Sequence, residues 1–345
     1  MPLWLKVRAP HRFRRRFLCT AGAALGAALT GCQRTDVPGI GAASPLLDAH
    51  LHATSAALAS WLPVEADITT IGGSGLLARL DALGAERAFA LSSAYLYASD
   101  FQPSFDPWRG AEGELDRVRA ENDFTADECS GEPRLVPFCS LNPKRDYAVD
   151  ELARCVEDRG MRGLKLHFWN SNLSLRDPTQ RRRLSTVLTY AGERQLPVLV
   201  HVLNGEDEGF GRSDAQRFVE VLSDAGAPPL CLAHLCGAGG YKPQVAELFD
   251  AFSELRDQGW LSSRTHVELS ATLTRDGDGD GETSLLDTDA GRARLAEQLQ
   301  RWGLDTVLWG SDNGEDYLIA TRRRWPLSSA ELDQVLANTG TEFVA

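Results

Sequence analysis

Four short apolar runs in this chain each end on an imidazole or a carboxylate. Leu46-Leu47-Asp48-Ala49-His50-Leu51-His52 is the first. Leu196-Pro197-Val198-Leu199-Val200-His201 and Leu230-Cys231-Leu232-Ala233-His234 follow, and Thr306-Val307-Leu308-Trp309-Gly310-Ser311-Asp312 closes the series. Short, continuous apolar runs of this kind read as strands buried on both faces. Side chains alternate faces along a strand, so His50 and His52 project the same way. A His-x-His pair, further histidines and an aspartate, each at the C-terminal end of a buried strand, read as a metal site at the mouth of a parallel barrel.

The rest of the chain keeps the same rhythm. Strand candidates are 46–51, 87–93, 134–140, 161–167, 197–202, 229–234, 265–271 and 305–310. Helical spacing of apolar residues marks 76–83, 146–159, 181–194, 214–225, 243–258 and 290–302 between them, and 330–336 after a Ser cap. Eight strands alternating with helices is the arithmetic of an α/β (β/α)8 TIM barrel. An open doubly wound sheet is the competing architecture, but its first strand usually runs into a Gly-rich phosphate loop, where this chain has His50-Leu51-His52. The segment Tyr95 to Asp116 is a long link rich in aromatics, among them Tyr97, Phe101, Phe105 and Trp108. It is expected either to wall the substrate site or to cover apolar barrel surface.

The first residues have a different character. Arg8, Arg12, Arg14, Arg15 and Arg16 form a basic region, followed by a short apolar run from Leu18 to Leu29. Arg14-Arg15-Arg16-Phe17-Leu18 fits a twin-arginine export pattern, and Leu29-Thr30-Gly31-Cys32 looks like a bacterial lipobox. On this reading residues 1–31 are a signal peptide, Cys32 is acylated, 32–44 form a tether and 45–345 fold as the barrel. The protein is then exported and lipid-anchored at the periplasmic face of the envelope. Gln33 in place of Asp weakly favours the outer membrane. An ordinary secretory signal cut elsewhere, or a cytoplasmic chain with a misjudged start, are the alternatives. The formal net charge is -12, which argues against a nucleic-acid partner held through phosphates. Five cysteines follow Cys32, at positions 129, 139, 155, 231 and 236, in no zinc-ribbon or Cys-x-x-Cys spacing. Cys139 and Cys231 lie in strand-like runs and are expected to pack as small core residues.

From residue 45 onward the chain resembles the metal-dependent amidohydrolase superfamily, in particular its amidohydrolase-related, aminocarboxymuconate semialdehyde decarboxylase-like branch. The resemblance is carried by Asp48-Ala49-His50-Leu51-His52, Gly163-Leu164-Lys165-Leu166-His167, Val200-His201, Leu232-Ala233-His234, Trp309-Gly310-Ser311-Asp312-Asn313 and Asn338-Thr339-Gly340-Thr341-Glu342-Phe343. It implies that His50, His52 and His201 bind zinc. Asp312 would bind metal or take the proton from the attacking water, and His234 would polarise the scissile group or stabilise the developing oxyanion. The implied reaction is attack of a zinc-activated water on an amide, ester or lactone of a small molecule. Non-oxidative decarboxylation of an unsaturated or aromatic acid on the same residues is the alternative. Asn313 departs from the Tyr, Phe or Pro frequent after that aspartate and leaves the role of Asp312 intact. A lysine at position 165 is carboxylated and bridges two metals in binuclear members, whereas Lys-Leu-His in this branch goes with one zinc. Lys165 could also anchor a substrate carboxylate or an ion pair, and His167 could meet substrate or support a ligand from behind. Glu268 and Ser270 share a face of the seventh strand and are expected to line the mouth. The branch is often dimeric, so a homodimer is one expectation, and the sequence leaves the oligomeric state open. A lipoprotein that binds a metal or ligand without catalysis is the reading from a different class. Asp312 and His234 weigh against it, because a pure binder needs neither.

One motif stands apart. Asp276-Gly277-Asp278-Gly279-Asp280-Gly281-Glu282 places carboxylates at positions 1, 3 and 5 and a glycine at 6, with Asp287 at position 12. That is the donor logic of a calcium loop. It departs from a full hand in following a strand, in Asp rather than Glu at position 12, and in Thr283 at position 8. A solvated acidic loop is the alternative. If the loop binds Ca2+, titration calorimetry records an uptake that Asp278→Ala abolishes. Absence of heat in both proteins removes calcium from the account.

Overall fold

In this computed structural model the described residues are 45–61, 71–100, 113–203, 210–237, 240–272, 284–312 and 324–344, with 318 and 321 besides. Eight strands are present: β1 Leu47–Ala53, β2 Arg87–Ser92, β3 Leu135–Ser140, β4 Gly163–His167, β5 Val198–His201, β6 Leu230–Leu232, β7 His266–Glu268 and β8 Val307–Leu308. They pair in sequence order, and every pairing is parallel. Each lies within about a residue or two of its expected run, except that the last two are cut shorter. The sheet closes on itself: Ala49 N donates to Trp309 O at 2.9 Å and Asp312 N to His50 O at 2.9 Å. The (β/α)8 barrel expected from the alternation of elements is therefore the fold.

Around the barrel run α1 Ala56–Trp61, α2 Gly73–Leu83, α3 Glu114–Cys129, α4 Ala148–Glu157, α5 Phe168–Ser171, α6 Pro178–Glu193, α7 Arg212–Asp224, α8 Pro243–Asp257 and α9 Asp289–Trp302. Two more, α10 Ser329–Leu336 and α11 Thr341–Val344, follow β8. Caps mark several starts. Asp177 accepts from Thr179 N and Gln180 N before Pro178, and Ser328 and Glu331 form a reciprocal box at α10. The main apolar layer lies between the barrel wall and these helices. A smaller cluster fills the barrel below the site: Leu47, Ala49, Phe89, Phe138, Leu199, Cys231 and Leu308, closed by Phe343 of α11. Gly163 makes room for it, because a Cβ there would lie 2.2 Å from the Phe138 ring. All five described cysteines are buried free thiols. Cys139 and Cys231 pack in these apolar layers as their runs implied. Among the described residues no helix is long and apolar enough to cross a membrane.

Two local features were not foreseen. The register of β1 against β2 shifts between Asp48 and Leu51. Leu47 and Ala49 face the inner cluster, while Leu51 and Ala53 pack outward with Leu76 and Leu80 of α2. The shift is what lets His50 and His52 continue on the inner side above Ala49. The second feature is α3. It begins at Glu114, so the long link ends earlier than expected, and Phe101, Phe105 and Trp108 lie outside the described residues. Its hidden face is largely polar, with Glu121, Asn122 and Thr125 buried beside Val118, so no apolar period announced it.

That polar face is paired. Asn122 Nδ2 donates to Ser140 O at 3.2 Å and to Glu151 Oε1 at 3.0 Å, and Ser140 N returns a bond to Asn122 Oδ1 at 3.0 Å. Glu151 of α4 also accepts from Arg154 at 2.8 and 2.9 Å. Burial pushes the Glu151 carboxyl up, but the bonds from Arg154 and Asn122 outweigh it and hold it below the usual carboxylate range. A folded-state value below the unfolded one gives stability that is present at neutral pH and lost as pH falls through the acidic range. Glu151→Gln is therefore expected to cost about 2 kcal/mol in urea unfolding at pH 7, with the gap to wild type narrowing as pH falls below the ordinary carboxylate range. A gap that stays constant with pH would contradict this assignment.

Candidate metal centre

The mouth of the barrel gathers five of the chain's seven histidines. His50 and His52 come from β1, His167 ends β4, His201 ends β5, and His234 follows β6. Asp312 follows β8 and Glu268 ends β7. His50 Nε2 and His52 Nε2 are 3.2 Å apart. Asp312 Oδ1 lies 3.8 Å from the first and 3.5 Å from the second. Lys165 Nζ is 2.9 Å from His50 Nε2. His50, His52 and Asp312 thus form one group of possible ligands whose donor atoms all lie within 4.8 Å of one another. His201 stands beside this group rather than in it. Its ring stacks on His167 at 4.0 Å between centroids and lies edge-on to His234 at 5.1 Å. Both of its ring nitrogens are buried without a hydrogen-bond partner.

The backbone is strained where the site is built. His234, Leu235 and Cys236 are left-handed in succession, with φ of 55°, 50° and 70°, and Ala271 and Asp312 add φ of 52° and 49°. Such positions cost non-glycine residues of order 1 kcal/mol each and persist only where surrounding contacts hold them. Asp312 is held by its N–H bond to His50 O. Gly310 lets β8 pass close by, because a Cβ there would lie 2.9 Å from both Glu268 Oε2 and His50 Cβ.

Burial dominates the electrostatics. It pushes His52 down to about 4, against the opposing pull of Asp312, and holds His50, His167 and His201 well below the ordinary imidazole range, with Lys165 adding to the effect. These rings are neutral at pH 7 and keep lone pairs for a ligand role. Burial also lowers Lys165 to about 8. It pushes Asp312 up, but His50, His234, His52 and Lys165 outweigh it and keep that carboxyl below its usual range. Asp312 is also one-third exposed, whereas Lys165 and Glu268 are fully buried.

Two imidazole nitrogens and a carboxylate oxygen drawn together at the barrel mouth, with His201 a buried, unpartnered imidazole at the same mouth, fit a divalent metal. His50, His52 and Asp312 would hold it, with the His234 ring 4.6 Å from that of His50 and His201 a further buried imidazole at the mouth. His234 is differently placed. Its Nδ1 lies 3.0 Å from Ser270 O and 2.9 Å from Ser270 Oγ. A carbonyl only accepts, so Nδ1 carries the proton and Nε2 is the nitrogen left for proton exchange. Tyr95 from the link packs against His167 at 4.9 Å and His52 at 6.3 Å. Of the acidic motif, Asp276, Asp278, Asp280 and Glu282 lie outside the described residues, as does Cys32. Asp287 is described, and its carboxylate pairs with Arg324 at 2.8 Å.

The fold and this set of side chains define a (β/α)8 barrel with possible metal ligands presented from its strand ends. The sequence profile of the amidohydrolase family matches residues 47–342, and the chain belongs to that family. A search of the curated proteins found no match. Among solved structures, the chain is similar to a 5-carboxyvanillate decarboxylase from Sphingomonas paucimobilis, at 13% identity over 87% of this chain and 98% of that one, with a TM-score of 0.55. It is also similar to a dihydroxybenzoic acid decarboxylase from Polaromonas sp. JS666 with bound manganese and an inhibitor, at 16% identity over 87% and 96%, with a TM-score of 0.54. An amidohydrolase from Burkholderia multivorans is similar at 14% identity over 86% and 97%, with a TM-score of 0.53. At these identities the likeness is one of fold.

Elemental mass spectrometry of the purified protein is expected to find roughly one divalent metal per chain. His52→Ala or Asp312→Ala should lower the affinity by at least about tenfold. Unchanged metal content in both variants would place the metal elsewhere.

Proposed function

We propose that this protein is a metal-dependent hydrolase of small molecules that cleaves an amide, ester or lactone. The observation that carries the reading is the position of Asp312. Its carboxylate stands 3.5 Å from His52 Nε2 and is one-third exposed, at the open end of an otherwise buried cluster. It is also held below the usual carboxylate range. A carboxylate that stays ionised and meets solvent suits the acceptance of a proton from water as that water attacks a carbonyl carbon. His234 Nε2 is the second group suited to carrying a proton, here towards the leaving group. His167 and Tyr95 wall one side of the space. A metal held by His50, His52 and Asp312, for which zinc is our choice on the nitrogen and oxygen donor set, would supply Lewis acidity at the scissile group.

A second reading has its own support. His167 and His201 stack within 15° of parallel, and Tyr95 lies over His167 at 34°. These flat rings suit a planar unsaturated acid, which is the kind of substrate a non-oxidative decarboxylase takes. The test is a panel of esters, lactones, amides and aromatic acids assayed both for hydrolysis products and for released carbon dioxide. The hydrolase reading expects turnover without carbon dioxide and a loss of about 10²- to 10⁴-fold in kcat for Asp312→Asn. Carbon dioxide release from an aromatic acid, with no hydrolysis across the panel, would replace the first reading by the second.

A further inference from the structure

The chemistry proposed above leaves Glu268 without a task, yet hydrogen bonds from His50, His234 and Ser270 meet on this side chain. It is fully buried. Its Oε1 accepts from His50 Nδ1 at 2.8 Å and from the backbone N–H of His234 at 2.8 Å. Its Oε2 accepts from Ser270 N at 2.7 Å. Ser270 in turn holds His234 Nδ1 through its carbonyl and hydroxyl. One carboxylate thus fastens β1, the turn after β6 and the segment after β7.

The chemistry of the partners fixes a proton. A carboxylate oxygen between N–H donors only accepts, so the His50 proton is on Nδ1. The opposite side of the ring gives the same answer independently. Lys165 Nζ lies 2.9 Å from His50 Nε2, and an ammonium only donates. Nε2, the nitrogen that faces His52 and Asp312, is left with its lone pair. The bond to His234 N falls at the first of the three successive left-handed residues, where the chain must be held from outside.

We propose that Glu268 is a positioning residue. It keeps the His50 proton on Nδ1 so that Nε2 stays open as a ligand, and it holds the strained turn that presents His234. The inference rests on the metal-centre reading for its purpose, but the proton can be read without any metal.

The test is long-range proton–nitrogen correlation NMR on the metal-stripped full chain with 15N-labelled histidine, the His50 signals being assigned by their loss in His50→Gln. The expected result is a protonated Nδ1 and a bare Nε2 on His50. In Glu268→Gln an amide N–H2 must face either His50 or Ser270. The His50 pattern should then move towards a protonated Nε2, and zinc affinity should fall about 10- to 100-fold. Glu268→Asp, which keeps the acceptor on a shorter arm, should recover part of both. A wild-type His50 protonated at Nε2 overturns the proposal with no variant needed, even if Glu268→Gln fails to fold. A folded Glu268→Gln with the wild-type pattern and wild-type zinc affinity overturns it as well. Wild type that shows the Nδ1 proton but binds no metal would sink the metal-centre reading and leave the proton assignment supported.

Discussion

The seam between the first and last strands is the contact on which the rest of this molecule depends. Ala49 N reaches Trp309 O, and Asp312 N reaches His50 O. Asp48 Oδ1 accepts from Ser311 N at 2.9 Å and from His50 N at 3.1 Å. These bonds close the barrel and set His50 and His52 against Asp312, across nearly the whole length of the chain. The seam is costly to build. Asp48 is fully buried, and burial pushes its carboxyl up to about 7. Gly310 is needed because β8 passes within van der Waals range of His50 and Glu268.

Desolvation then decides what the gathered side chains are. In water, five imidazoles and a lysine at such distances would repel one another once protonated. Here burial keeps four of the imidazoles neutral and lowers Lys165, while Asp312 and Glu268 supply the compensating carboxylates. Neutral imidazoles with fixed tautomers are ligands and proton carriers rather than bare charges. The left-handed residues at 234–236, 271 and 312 all fall at this end of the barrel, where contacts from neighbouring strands over-determine the backbone. Stability has been given up locally in exchange for placement.

Much of this was legible in the sequence, and the physical reason is burial. Strands enclosed by helices must be apolar along their length, so a polar residue at the end of such a run stands out. His50, His52, His201, His234 and Asp312 were readable for that reason, and the barrel with them. Glu268 also ends a run, but its importance lies in partners 218 and 34 positions away that no local pattern reveals. The helix Glu114–Cys129 was missed because its hidden face is satisfied by hydrogen bonds to Ser140 and Glu151 rather than by apolar contact. The position of His201 beside the ligand group, stacked on His167, is likewise a property of packing and not of spacing.

The central claim is that His50, His52 and Asp312 converge on one metal at the mouth of the barrel. Anomalous diffraction at the zinc absorption edge, from crystals of the zinc-loaded protein, tests it most directly. The account predicts an anomalous peak bounded by His50 Nε2, His52 Nε2 and Asp312 Oδ1. A peak only at another cluster of side chains, or none at the mouth in crystals grown with excess zinc, would contradict it.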